Sequence, residues 1–175
     1  MALQEGVMKR IARVVLLASI AAPALHAQTT KPDFSGTWIM DMTRSASAVQ
    51  NDPIPQTTLV ITQTATQLSI ETQRAGKTST MIYRPGSADA ITNATNRSNL
   101  LNSMWYWEGP KLITETVRDV NGQTVRTKEV RVLEAAGTEM SIDTLLVVEH
   151  GYSQRGAQNY GSGKDIYKKQ ADVKR

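Results

Sequence analysis

Short runs rich in Thr, Val and Ile recur from residue 36 to residue 169, each closed off by Gly, Pro, Asn or Asp, and nothing between them has the length and period of a crossover helix. That pattern constrains the fold more than any other feature. Strands joined by such short connections run antiparallel, because a parallel crossover needs about a dozen residues or more. Strands are predicted at residues 36–41, 57–63, 66–73, 78–84, 100–107, 111–118, 123–133, 139–148 and 164–169. In the third, Leu68, Ile70 and Thr72 alternate with Ser69 and Glu71, the period of a half-buried strand. Asn121 and Gly122 form the clearest hairpin signal, since both tolerate the positive φ of a type I′ turn. "MTRSASAVQNDPIP" and "PGSADAITNATNRSN" read as the long loops, the first with room for one helical turn. The glycine-rich residues 151–163 read as a loop or an irregular edge. About nine strands in up-and-down order close most simply into an all-β antiparallel barrel, because closure leaves no exposed strand edge.

The first 27 residues stand apart. Lys9, Arg10 and Arg13 precede the apolar run "VVLLASIAA", Pro23 breaks it, and "ALHA" offers small residues for cleavage near Ala27. This is the pattern of a secretory signal peptide, and its apolar run is too short to span a bilayer, which takes about 20 residues. Met8, followed by "KRIARVV", is an alternative start to Met1. Residues 28–175 are then expected to form a single exported domain, secreted or periplasmic. The chain has no cysteine, which removes disulfides, thiolate chemistry and a lipid-modified cysteine anchor. Of the formal charge of +4, the leader supplies a net +2, and the remainder forms no basic stripe with interleaved aromatics. Nucleic acid is therefore not an expected partner, and the mature domain is expected to be a monomer with no membrane span.

"GTW" at Gly36, Thr37 and Trp38 opens the first strand and resembles the Gly-X-Trp signature of lipocalins and other calycin-type barrels. In such barrels the tryptophan closes the bottom, and the nearby glycine lets the entering backbone pass closely over it. Together with "YRPGSADAITN", the paired hairpins of "WEGPKLITETVRDVNGQTV" and the closing "DIYKK", the opening "DFSGTWIMDMTRS" resembles the lipocalin-like small barrels that bacteria secrete. The resemblance spans most of residues 33–169. It implies a barrel of eight to ten strands, a structural plug at Gly36 and Trp38, and no assigned catalytic residues. Arg44 and Ser45 stand where that family usually has Lys-Ser, two extra aromatics precede Trp107, and the glycine-rich insertion before the last strand is a further departure.

Candidate site residues follow from strand alternation. Trp105 and Trp107 share a face with Leu101 and Ser103, and if Trp107 lies opposite Leu112, then Thr114 and Thr116 join them. Two indoles, hydroxyls and aliphatic groups make a wall for an apolar or amphiphilic small molecule. The competing reading is that these side chains fill a solid barrel, which would act through its surface in envelope maintenance or protein interaction. Glu115, Glu129, Glu134 and Glu139, spread among Lys and Arg, read as the wet outer face of the sheet, with no acid–base pair. His150 is the one histidine left after cleavage, so no multi-histidine metal site is expected; it reads as an exposed strand-end residue, with a lone haem ligand as the alternative. No cofactor is expected. A calycin-type isomerase or cyclase is the lesser reading, because no nucleophile and base stand together.

Overall fold

The computed structural model describes residues 31–48, 54–86, 100–149 and 158–171. Nine strands follow one another around a closed barrel: β1 (Gly36–Met40), β2 (Thr57–Gln63), β3 (Leu68–Arg74), β4 (Lys77–Pro85), β5 (Leu100–Glu108), β6 (Lys111–Val120), β7 (Gln123–Glu134), β8 (Glu139–Glu149) and β9 (Gln158–Lys169). A single 3-10 turn, Ala135–Gly137, joins β7 to β8. The expected leader, His150 and the first part of the glycine-rich stretch, residues 151–157, lie outside the described residues, as do residues 49–53 and 87–99 within the two long loops.

The Asn121-Gly122 turn forms as predicted, with φ of 54° and 79° at its two central residues, and it sets the register of the β6–β7 ladder from Val120↔Gln123 to Leu112↔Arg131. Two expectations need correction. The stretch 158–163 was expected to be irregular but forms the first half of β9, paired with β8 from Glu149↔Gln158 to Thr144↔Gly163. Ladder bonds to a long neighbouring strand outweigh the weak strand preference of glycine. The second correction concerns strand direction. A chain that reverses at every step would bring a ninth strand back parallel to the first. Yet β9 runs antiparallel to β1, over Trp38↔Lys169, Ile39↔Lys168 and Met40↔Tyr167. Some other neighbouring pair must then run parallel, and it is β4 with β5, joined at Arg84↔Met104 and Pro85↔Trp105. The connection at residues 86–99 has the length such a return requires.

One end of the interior is filled by side chains. Phe34, Trp38, Leu68, Leu112 and Met140 are each 0 % exposed, and the Trp38 indole N–H donates to the Phe34 carbonyl at 2.9 Å, so the ring is fixed as well as buried. Gly36, with φ of 131°, faces the same way; a Cβ there would lie 2.7 Å from Lys169 Cε. The close approach is thus made by the Lys169 stem, whose ammonium lies 5.3 Å from the centre of the Trp38 ring.

The other end is crossed by a strap, residues 41–48. Asp41 pairs with Lys168 at 2.9 Å and Arg44 forks onto Glu139 at 2.6 and 2.9 Å. Ser45 Oγ accepts from the Ile166 N–H, and Ala46 exchanges both backbone bonds with Lys164, at 2.8 and 2.9 Å. Gly163 makes room for it: a Cβ there would lie 2.1 Å from the Ala48 nitrogen.

Candidate functional site

Register decides which side chains enter the barrel. Leu112 faces inward, so its partner Arg131 does too, and the alternation along β7 carries Glu129 and Thr127 with it. These residues line a cavity of about 230 Å³ between the packed end and the strap. Its apolar lining is Met40, Leu59, Ile70, Met81, Ile142 and Leu146. Its polar lining is Arg74, Tyr83, Glu129, Arg131, Asp165 and Tyr167 with four threonines interspersed, and Ser47 and Ala48 of the strap border it.

Arg131 is the centre of the polar lining. Only 2 % exposed, it pairs with Glu129 at 2.5 Å through Nη2 and donates through Nη1 to the Thr114 hydroxyl at 2.6 Å; Thr114 donates in turn to Glu129 at 3.0 Å. The Glu129 side chain is 29 % exposed and lines the cavity. Burial alone would push its pKa up; the Arg131 charge and hydrogen bond, the Thr114 hydroxyl and the Arg118 charge hold it below the ordinary value. Asp165 behaves differently: burial raises its pKa, against the Ser47 hydroxyl bond at 2.6 Å and the Arg74 charge. Burial pushes Tyr83 up to about 12 and Tyr167 up as well, so both phenols stay neutral donors.

Two guanidinium groups are incompletely used. Among the described residues, the buried Nη2 of Arg74 and the buried Nε of Arg131 have no hydrogen-bond partner. A buried donor left unpaired is unfavourable by about 1–3 kcal/mol, so these two nitrogens are an uncompensated cost of packing the guanidinium groups beside the cavity. A third unpartnered donor, the Trp105 indole N–H, belongs to a different part of the interior. No group of three or more metal-ligating side chains occurs among the described residues.

Six of the residues singled out by alternation, Ser103, Trp105, Trp107, Leu112, Thr114 and Thr116, share one inward face, in the register Trp107↔Leu112, Trp105↔Thr114 and Ser103↔Thr116, whereas the register slips between Leu100 and Asn102, at Leu101. None of these six borders the cavity. Trp105 and Leu112 are buried in the apolar cluster with Trp107 packed against it, the two indoles edge to face at 6.1 Å and Phe34 against Trp107 at 6.1 Å. Ser103 and Thr116 are half-buried, the Ser103 hydroxyl donating to the Ile82 carbonyl. Leu101 is in β5, with its side chain outside the described residues. Thr114 alone of the set reaches the polar lining, through Arg131 and Glu129. Glu129 was expected on the wet outer face and is a correction: it points into the barrel. The signal that locates it was present in the sequence. A two-residue Asn-Gly turn pairs 120 with 123, so an inward Leu112 forces Arg131 and Glu129 inward.

No protein-family model matches the chain, and no curated protein matches it in sequence. Solved structures do match in shape. Lipid binding protein 8 from Caenorhabditis elegans aligns with a TM-score of 0.51 at 9% identity, over 78% of this chain and 95% of that one. Human cRBP IV aligns with a TM-score of 0.50 at 13% identity, over 79% of this chain and 99% of that one. At these identities the likeness concerns the backbone path and leaves the cavity-lining side chains to be read from this chain alone. The closed nine-strand barrel, its Gly-X-Trp opening and these alignments together give this chain the lipocalin-like, calycin-type barrel fold.

Proposed function

We propose that this barrel holds a small amphiphilic molecule in the cavity beneath the strap, and that it does so outside the cytoplasm once the leader, residues 1–27, has been removed. The observation that carries the reading is the mixed lining of the cavity, methionine and aliphatic side chains together with arginine, tyrosine and threonine. An occupant with both apolar and polar groups matches this lining, whereas a purely apolar one strands the polar side chains. A volume of about 230 Å³ is below the roughly 300–1,000 Å³ of drug-sized sites and favours a short chain or a single ring. The lipid-binding description of the Caenorhabditis elegans neighbour is consistent with this assignment. The leader pattern motivates export.

One measurement addresses both parts. Protein recovered gently from cells making the full chain is weighed by native mass spectrometry and again after denaturation. A mass excess that vanishes on denaturation is the expected result, and the denatured mass reports whether the chain begins after Ala27. A folded protein with no excess mass, and no binding of any short amphiphile added afterwards, would overturn the binding assignment; a denatured mass that still includes the leader would overturn export.

A further inference from the structure

We infer that Met42 is an oxidation site of this protein, where hydroperoxides and hypohalous acids convert the thioether to a sulfoxide ahead of every other methionine of the barrel. A thiol-dependent reductase reverses the change, because the fold does not depend on that side chain. The inference is independent of what the cavity holds.

Seven methionines are present, of which Met1 and Met8 belong to the leader. The other five are placed very differently. Met140 is fully buried and Met40 and Met104 nearly so. Met81 is partly buried against the central core, and its sulfur accepts from the Arg118 guanidinium at 3.1 Å. Met42, by contrast, is 45 % exposed. Oxygen transfer begins with a sulfur lone pair attacking the oxidant. A thioether that is closed off, or already holding a hydrogen bond, therefore reacts slowly, and an open one reacts first. The step balances without help from the chain: hydrogen peroxide gives one oxygen to the sulfur and leaves as water, and hypochlorous acid leaves as chloride and a proton. In the reverse direction two thiols reduce the sulfoxide, forming one disulfide and one water. The thiols come from outside, since this chain has no cysteine.

Position makes the product tolerable as well as the sulfur accessible. Met42 is the first central residue of the turn that opens the strap, Asp41 to Arg44, closed by the Arg44 N–H donating to the Asp41 carbonyl at 3.2 Å. The Asp41 carboxylate holds the next residue, accepting from the Thr43 N–H at 3.2 Å and from the Thr43 hydroxyl at 2.7 Å. The pairs Asp41–Lys168 and Arg44–Glu139 fasten the turn on either side. None of these bonds uses the Met42 side chain. It borders an open groove of about 400 Å³ together with Ile39, Lys168, Lys169 and Gln170, so a sulfoxide oxygen there has polar neighbours. The same oxygen on Met40 or Met140 would be driven into the apolar cluster, where a polar atom without a partner is strongly unfavourable.

The test treats the folded protein, recovered from cells making the full chain, with hydrogen peroxide and, in a parallel sample, with hypochlorous acid. Gains of one oxygen are followed in time by peptide mass mapping. One tryptic peptide ending at Arg44 carries both Met40 and Met42, so its fragment ions decide between them. The expected result is oxidation at Met42 about tenfold or more faster than at Met40, Met81, Met104 or Met140. The urea midpoint should be unchanged by that first oxidation, and methionine sulfoxide reductases for both sulfoxide epimers, supplied with a dithiol, should restore the original mass. Met42→Leu should remove the fast event and leave the slow ones as they were, and in concentrated urea the five should react at similar rates. Another barrel methionine reacting as fast as Met42 in the folded protein would overturn the assignment, and a preference that persists in urea would overturn its origin in the fold. A midpoint lowered by the first oxidation, or a sulfoxide that the reductases leave in place, would overturn the reversibility argued from the turn.

Discussion

At the scale of single residues, the most consequential pair is Glu129 and Arg131. Arg131 is buried and permanently charged, and its neighbour is the carboxylate that answers it. Removing one partner of a buried pair strands the other, an effect of about 3–5 kcal/mol, whereas replacing both by apolar groups can be nearly neutral. Glu129→Leu should accordingly lower the stability by about that amount, and Glu129→Leu combined with Arg131→Met should recover most of the loss. Urea midpoints at unchanged slope would measure both, and a double variant no more stable than the single one would show that the pair is not the unit of stability. The sequence concealed this pair for a simple reason. In "TVRTKEVRV" charged residues occupy both faces of the strand, so polarity does not say which face is wet; Arg126 and Lys128 point out while Glu129 and Arg131 point in. Alternation gave parity within a strand, and the hairpin register that would have carried the inward label from Leu112 to Arg131 had to be applied across the turn.

At the scale of elements, the strap and β9 depend on each other. Gly163 is the contact point, with the strap backbone where a Cβ would be. Gly163→Ala should therefore displace the strap, and amide hydrogen exchange at Ala46 and Lys164 should lose the protection of their mutual bonds. Gly161→Ala, where the nearest strap atom is 3.3 Å from the added Cβ, should have a much smaller effect. Equal protection in both variants would mean that the strap does not need the glycine. This dependence also explains which elements were legible beforehand. Eight strands announced themselves through β-branched residues and turn signals, and their cores match the predicted ranges. The beginning of β9 did not, because its glycines are there to admit the strap over residues 161–163, a tertiary reason that leaves no local strand signal. The parallel seam between β4 and β5 was hidden likewise, since direction around a closed wall depends on how many strands complete it.

At the scale of the whole molecule, two opposed sets of carboxyl groups shape the response to acid. Glu129, Asp33, Asp41 and Glu139 titrate below their ordinary values, Asp41 at about 2 through its hydrogen bonds to Lys168 and Thr43. A folded state that binds fewer protons than the unfolded chain is stabilised above the ordinary carboxyl pKa of about 4 and loses that stability as pH falls through the depressed values. Asp165 has the opposite sign: its raised pKa favours the fold at low pH, and that contribution is lost as pH rises through the raised value. Stability should peak at mildly acidic pH, fall steeply below about 4, and decline gently toward neutrality, with the gentle decline absent in Asp165→Asn. Denaturant midpoints across pH would establish the shape, and a stability that rises steadily to neutral pH would contradict it. The placement of the three tryptophans has an optical consequence. Trp38, Trp105 and Trp107 occupy the packed end and none lines the cavity, whereas Tyr83 and Tyr167 do. Indole emission is therefore a gauge of whether the barrel floor is intact, and a flat emission trace on adding a ligand does not mean that the chamber is empty; occupancy would be registered by the phenols, in ultraviolet absorbance or in their ring proton resonances.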